Sequence, residues 1–366
     1  MYKIIRSSLC LMLTVLLGAF ISTMACFAEE DISILEKETI QIIDLSNTKP
    51  EELDKKINQI KAIENISEIR LMDSNNRSNF TPKDVKKLMD SFPGIFIDYS
   101  FELFGKTLST SDERIEYVKT KIGNNGVEKI REALDILPKC TYFLLDDCGI
   151  DDEVMGNLRS DYPNKKIVWR VHFSKYSCLT DTEMIHCTVG VRDSDLTGIF
   201  YCNDVMYLDL GHNKYMSDIS FIYGMPKLKI AIIVDCAADT LEPFASCPDL
   251  ERLEIVNCGN IKDLSPLAKC SKLKGLNMSC AYGIKDLSPL YGLKEMERLY
   301  LGSSMITDEQ YEEACRMMPN CWVRNYGKSV HGVSSNYSIG WRLERDGSRA
   351  EWYIELRKIF KYDELY

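Results

Sequence analysis

The residues best suited to covalent chemistry in this chain are His186, Cys187 and Cys178. A thiol beside an imidazole is a potential nucleophile, because the imidazole can remove the thiol proton. Neighbouring residues of a strand point to opposite faces, so we expect His186 and Cys187 to be separated. The sequence also lacks the G-x-S-x-G, H-E-x-x-H and C-x-x-C patterns of several enzyme classes. We therefore predict a protein that is not an enzyme, with no catalytic site, no metal site and no cofactor.

Two further motifs have weaker chemical interpretations. Gly327-Lys328-Ser329 resembles the end of a phosphate-binding loop, but the first glycine of that motif would fall at Trp322. His212 is expected to lie beside Asp235 on an edge of the fold, as a structural pair. Neither motif predicts catalysis.

The dominant feature of the chain is a repeated phrase. Asp263-Leu264-Ser265-Pro266-Leu267 returns 23 residues later, beginning at Asp286. An L-x-x-L-x-L frame surrounds both copies, with lead positions at Val205, Leu228, Leu250, Leu273 and Met296. This period predicts an α/β leucine-rich-repeat solenoid, a curved parallel strand sheet with helical or 3-10 return segments. Ser265 and Ser288 are expected to cap the return turns, each before a proline.

The repeat frame also predicts a binding surface. In each strand the leucines point inward and the alternate residues point outward. The third outward position is Tyr207, Ile230, Arg252, Gly275 and Arg298, and the fifth is Asp209, Ile232, Glu254, Asn277 and Tyr300. Five such strands make a face of roughly 400 Å², about half of the roughly 800 Å² per partner in a stable protein interface. We predict a ligand site on this concave face, large enough for a short peptide or a glycan, whereas a protein ligand would need further surface.

Longer, degenerate helix–strand units are predicted upstream. Helices are expected after Thr81 and after Thr307, where each threonine precedes an apolar stripe and can cap its helix. The predicted organisation is a signal peptide at 1–28, degenerate units at 29–200, the repeat array at 201–325 and a C-terminal cap at 326–366. A helix over 351–360, with Trp352, Leu356 and Ile359 on its apolar side, is expected to cover the exposed end of the array; a separate recognition tail is the alternative.

The N-terminus has the pattern of an export signal. Lys3 and Arg6 precede an apolar stretch at 9–21, and small residues follow. Cleavage after Ala28 would release a secreted chain, whereas lipid attachment at Cys26 would hold it at the cell surface. Thirteen apolar residues are too few for a permanent membrane span, which needs about 20 residues.

Composition narrows the class of partner. The formal net charge is −10, which argues against nucleic acid, because phosphate binding needs a concentrated basic face. Cysteines are frequent, and Cys236, Cys247, Cys258 and Cys270 occupy inward positions of the repeat. We expect these thiols to be reduced and buried, although Cys236 and Cys258 are close enough for a disulfide.

The repeat phrases and their frame resemble secreted bacterial leucine-rich-repeat proteins of the internalin-like kind. The resemblance covers Val205 to about Val323 and implies a right-handed solenoid whose concave face binds ligands at a cell surface. We therefore predict an exported binding protein for a protein, peptide or glycan. The alternatives are a self-assembling structural protein and a secreted enzyme without a recognisable motif.

Overall fold

The computed structural model describes residues 41–302, 304–325 and 341–362. The chain forms two compact units. Unit 1 comprises Met1–Arg114 and Asn125–Thr141, and unit 2 comprises Ile115–Asn124 and Tyr142–Tyr366. The predicted signal peptide and the possible lipid attachment at Cys26 lie outside the described residues. The domain boundaries expected near residues 200 and 325 stay predictions.

Unit 1 contains a three-stranded parallel sheet in the order β1-β2-β3 and an antiparallel hairpin of β4 and β5. Its helices pack their apolar sides into one core, which includes Ile69, Val85 and Leu88. The elements are β1 (Gln41–Asp44), α1 (Leu53–Ile60), β2 (Ile66–Arg70), α2 (Pro82–Ser91), β3 (Phe96–Asp98), β4 (Ser100–Leu103), β5 (Lys106–Ser109) and α3 (Val127–Leu134).

The two predicted threonine caps are confirmed. The Thr81 hydroxyl accepts from the Asp84 backbone N–H, and the Asp84 carboxylate accepts from the Thr81 N–H. Thr307 and Gln310 make the same reciprocal pair at the start of α5 (Asp308–Met317) in unit 2. Each pair satisfies backbone donors that the first helical turn leaves without partners.

Unit 2 begins with a four-stranded sheet in the order β6-β7-β8-β9. Strands β7 and β8 are parallel, and β9 turns back antiparallel to β8. The elements are β6 (Arg114–Val118, of which Arg114 belongs to unit 1), β7 (Tyr142–Asp146), α4 (Asp152–Asp161), β8 (Lys166–Phe173) and β9 (Tyr176–Leu179).

Seven short parallel strands follow, and they pair in chain order from β10 to β16. They are β10 (Met184–His186), β11 (Tyr207–Asp209), β12 (Ile230–Ile232), β13 (Arg252–Glu254), β14 (Gly275–Asn277), β15 (Arg298–Tyr300) and β16 (Trp322–Arg324). Corresponding residues of successive repeats pair directly, as Tyr207 does with Ile230 and Ile230 with Arg252. This register is that of a leucine-rich-repeat solenoid, so the predicted fold is confirmed.

The inward residues of the repeat form a continuous aliphatic core. Leu208, Leu253, Leu276 and Leu299 are fully buried. Short 3-10 turns at Ser220–Gly224, Glu242–Ser246, Ser265–Lys269 and Ser288–Leu290 return the chain to the next strand.

The prediction that Ser265 and Ser288 cap the return turns is wrong. Neither turn has a side-chain cap at its first position. The preceding aspartates act as acceptors instead. Asp263 accepts from the Ser265 backbone N–H at 2.8 Å, and Asp286 accepts from that of Ser288 at 2.8 Å. An aspartate side chain readily binds the N–H two residues later, which stabilises a turn.

A last helix, α6 (Glu351–Ile359), lies near the C-terminus in unit 2. Among the described residues, none of the helices combines the length and apolar character that crossing a bilayer requires.

Candidate ligand-binding face

The predicted binding residues do lie together on one side of the seven-stranded sheet. We call the outward side of β10–β16 the strand face. Its third-position and fifth-position rows are aligned by the strand register. Seven of the nine predicted residues are nevertheless buried: Asp209, Ile232, Arg252, Glu254, Asn277, Arg298 and Tyr300. Tyr207 and Ile230 are partly buried.

These residues are buried because residues 341–362, which we call the C-terminal segment, pack against the strand face. The sequence predicted that this part of the chain would cover the end of the array. In the structure, Ala350, Tyr353, Leu356 and Phe360 of the segment instead form a buried cluster with Ile232. The apolar and aromatic members of the two rows offer more area for burial than isolated surface positions, and burial of that area favours the contact.

The apolar side of α6 also differs from the prediction. The buried residues are Tyr353, Leu356 and Phe360, whereas Trp352 and Ile359 are partly exposed. Both sets have helical spacing, so periodicity alone could not distinguish them.

Trp341 is the most deeply inserted side chain of the segment, with no exposed surface. Its ring lies over Gly275, where an added Cβ atom would come within 2.5 Å of the indole and 2.9 Å of Arg252 Nη1. The Tyr300 ring contacts the indole edge-on, with centroids 5.5 Å apart. The missing side chain at Gly275 therefore forms a notch that accepts an indole.

Glu254 is the polar centre of the contact. Its carboxylate accepts a hydrogen bond from Trp341 Nε1 at 2.7 Å and another from Arg342 Nη2 at 3.4 Å. Arg342 also donates to the Tyr353 hydroxyl at 3.2 Å. Burial by itself would lower the pKa of Arg342, but the Glu254 charge and the tyrosines outweigh it and raise that pKa. The guanidinium is therefore firmly charged in its buried position.

Further polar contacts tie both ends of the segment to the strand face. Arg298 Nη1 donates to the Leu343 carbonyl at 2.8 Å, and its Nη2 pairs with Glu344. At the other end, the Tyr362 hydroxyl donates to Asp209. Burial and the Asp209 charge both raise the pKa of Tyr362. The contacts thus alternate in charge, with acids of the face on Arg342 and Tyr362 and an arginine of the face on Glu344.

The interface also leaves polar atoms without partners. Arg252 lies with its guanidinium 4.6 Å from the centre of the Trp352 ring. Among the described residues, Arg252 Nη1 and Asn277 Nδ2 on the face, and Arg342 Nε and Trp352 Nε1 on the segment, are buried without a hydrogen-bond partner. Burying such donors is unfavourable by about 1–3 kcal/mol each. The fit between segment and face is therefore less complete than that of the aliphatic core.

The structure extends the face by two strands that the sequence interpretation missed. Met184 and His186 of β10 pair with Tyr207 and Asp209, and Trp322 of β16 pairs with Arg298. A signal was present, because Met184 precedes Tyr207 by the same 23 residues that separate later copies.

The possible thiol–imidazole pair is separated, as expected. His186 contacts the rings of Phe360 and Tyr362 on the strand face, with centroids 5.5 and 5.2 Å away. Cys187 is buried on the other side of the strand. Burial, followed by the charge of Cys178, raises the pKa of the Cys187 thiol to about 12, so it is not a thiolate at neutral pH.

The edge pair predicted for His212 and Asp235 is present. His212 Nδ1 lies 3.2 Å from Asp235, and Asn257 donates to the same carboxylate. Burial would raise the pKa of Asp235, but these hydrogen bonds outweigh it and the pKa is lowered. His212, Asp235 and Asn257 all have left-handed backbones, with φ of 61°, 62° and 58°. Asn, Asp and His tolerate this conformation better than most residues, which supports a structural role.

The repeat cysteines are interior residues, as the repeat frame predicted. Cys236, Cys247, Cys258 and Cys270 are buried and free of disulfides. Cys236 and Cys258 lie with their Sγ atoms 3.3 Å apart. Within the described ranges, no three His, Cys, Asp or Glu side chains are grouped so that they could hold a metal ion.

Comparison with known proteins supports the repeat design in general terms. No protein-family model and no curated protein matches the sequence. Among solved structures, internalin C2 of Listeria monocytogenes is 19% identical, with a TM-score of 0.35, and the match covers 62% of this chain and 87% of that one. An internalin of the same organism, InlF, is 16% identical, with a TM-score of 0.36 and coverage of 78% and 91%. A leucine-rich-repeat protein of Leptospira interrogans is 14% identical, with a TM-score of 0.35 and coverage of 73% and 74%.

Proposed function

We propose that this chain is an exported leucine-rich-repeat binding protein that is not an enzyme. Its strand face binds a protein, peptide or glycan at the cell surface or outside the cell. The observation that carries the proposal is the way the face holds the C-terminal segment. It accepts an indole at Gly275, a guanidinium at Glu254 and a tyrosine hydroxyl at Asp209.

This chemistry suits recognition of a flexible polymer. An open row of aromatic, acidic, basic and amide groups provides several separate anchoring points along one direction. Seven strands at a spacing of about 4.8 Å extend over roughly 30 Å, so the face accommodates a segment of many residues. The rows contain apolar area to drive binding and charged groups to select among ligands.

The proposal is tested by locating the binding surface with matched tyrosine variants. The full chain is applied to arrays of proteins, peptides and glycans, and ligands found there are measured by biolayer interferometry. Tyr207→Ala removes an aromatic residue from the partly buried margin of the strand face. We expect it to weaken binding by about tenfold, since aromatic anchors at interfaces contribute about 2 kcal/mol when truncated.

Tyr215→Ala provides the control, because Tyr215 is 72% exposed and outside the two rows. It is expected to leave binding within about twofold of the original protein. If Tyr215→Ala weakens binding and Tyr207→Ala does not, the ligand binds elsewhere and the proposed site is wrong.

A further inference from the structure

We propose that the strand face is a receptor for a helical peptide that carries adjacent tryptophan and arginine residues. The chain's own C-terminal segment occupies this face until such a peptide displaces it. This inference rests on the proposed function and specifies its ligand and its regulation.

The first argument is the shape and charge of the place where Trp341 and Arg342 bind. The notch at Gly275 is walled by Tyr300, and Glu254 accepts from the indole and the guanidinium together. A sugar has no planar aromatic ring to fill this notch, and an acidic peptide would meet Glu254 with like charge. Two neighbouring side chains, one aromatic and one cationic, satisfy the site.

The second argument is the arrangement that follows this pair. Nine residues after Arg342 the chain enters α6, which presents Tyr353, Leu356 and Phe360 to Ile232. An amphipathic helix in an apolar groove is a recurrent mode of peptide recognition, with anchors at helical spacing. The segment at 341–362 has six basic and four acidic residues, whereas the whole chain has a net charge of −10. A basic, aromatic helix therefore matches this surface.

The third argument is that the segment fits the face incompletely. Arg252 Nη1 and Asn277 Nδ2 belong to the face and are buried beneath the segment without a partner among the described residues. Both are donors, and both are aimed at the space that the segment fills. A competing peptide that offered an acceptor to either atom would gain a hydrogen bond that the chain's own segment does not make. The present occupant is consequently replaceable by a better one.

The experiment measures binding of a fluorescein-labelled peptide with the sequence of residues 341–362 to the full chain by fluorescence anisotropy. The original protein should bind weakly, because apparent affinity is reduced by the fraction of molecules with a free face. The variant Trp341→Ala/Leu356→Ala loosens the chain's own segment and leaves the strand face intact. We expect it to bind the peptide at least about tenfold more tightly than the original protein.

Two matched glycine variants in that background test the location. Gly275→Ala places a methyl group 2.5 Å from the indole position and should reverse the tenfold gain. Gly292→Ala meets nothing within 4 Å and should preserve it. A peptide in which the residue equivalent to Trp341 is alanine should bind neither protein. If the loosened variant is folded by circular dichroism but binds the peptide no better than the original protein, the inference is wrong. It is also wrong if that variant gains binding to a glycan array and not to the peptide.

Hydrogen exchange on the unaltered chain decides the question if the loosened variant does not fold. Displacement requires the segment to open while the array stays folded. Amides of α6 should then exchange faster than those of β12, β13 and β14, whereas equal rates would overturn the inference. Failure here would leave the proposed function standing if Tyr207→Ala still weakens binding of a ligand found on the arrays.

Discussion

At the scale of single residues, Glu254 links the repeat array to the C-terminal segment. It is almost fully buried, and it accepts hydrogen bonds from two consecutive residues of the segment. A buried carboxylate is stabilised only when its charge is paired. Arg342 in turn relies on Glu254, so each charge needs the other to stay within the interface.

Replacing Glu254 with alanine should release the segment. The change leaves Arg342 buried without its anionic partner, which is unfavourable by about 3–5 kcal/mol. We expect faster hydrogen exchange in α6 and a red-shifted tryptophan emission as Trp341 becomes hydrated. Glu251→Ala is the control, because Glu251 pairs with Lys274 at 2.9 Å where both side chains are partly exposed. An exposed pair contributes about 0–1 kcal/mol, and equal effects of the two changes would contradict this role for Glu254.

Tyr362 makes the contact sensitive to alkaline pH. Burial and Asp209 raise its pKa above the ordinary value of 10.0, while Arg342 opposes the shift. A raised pKa in the folded state means that the stabilisation is complete below about pH 10 and is lost as the pH rises towards the folded value. Near-ultraviolet circular dichroism should show the aromatic signal of the segment decreasing above pH 10. Tyr362→Phe should move this transition to higher pH, and an unchanged transition would show that another group controls it.

At the scale of elements, α6 shows what periodicity could and could not predict. A helix over 351–360 followed from its apolar spacing, and α6 occupies Glu351–Ile359. Which side it buries did not follow, because Trp352, Leu356 and Ile359 compete with Tyr353, Leu356 and Phe360 at similar spacing. The aromatic residues of the strand face select the second set, since Phe360 and Tyr362 contact His186 there.

Two apolar residues of α6 provide a matched test of this orientation. Leu356 has no exposed surface, whereas Ile354 is 42% exposed. Leu356→Ala should weaken docking of the segment by about 2–5 kcal/mol through lost burial and a residual cavity. Ile354→Ala should change it by no more than about 0.5 kcal/mol. Hydrogen exchange of α6 is the measurement, and a larger effect at Ile354 would mean that the helix presents its other side.

At the scale of the whole molecule, the central prediction from the sequence is export. Lys3, Arg6 and the apolar stretch at 9–21 precede the described structure, and they support two different N-termini. Cleavage after Ala28 would release a chain that begins at Glu29, whereas lipidation would leave Cys26 at the N-terminus.

Intact mass spectrometry of the chain expressed in a bacterial host should distinguish these products. We expect the mass of residues 29–366 in the culture medium. A mass increased by a diacylglycerol group, starting at Cys26 in the membrane fraction, would favour the lipid anchor. An uncleaved chain retained in the cytoplasm would contradict export altogether.

The sequence by itself determined the repeat array, because a period of about 23 residues positions each strand beside the previous one. Side-chain alternation then placed Tyr207, Ile230 and Arg252 in one row and Asp209, Ile232 and Glu254 in the next. Such information is local, since each repeat contacts its neighbours in the same way. Tertiary structure alone decided what covers those rows. Trp341 meets Glu254 from 87 residues away, and Tyr362 meets Asp209 from 153. No periodicity relates these partners. They come together because an indole fits the notch at Gly275 and because buried charges must be paired.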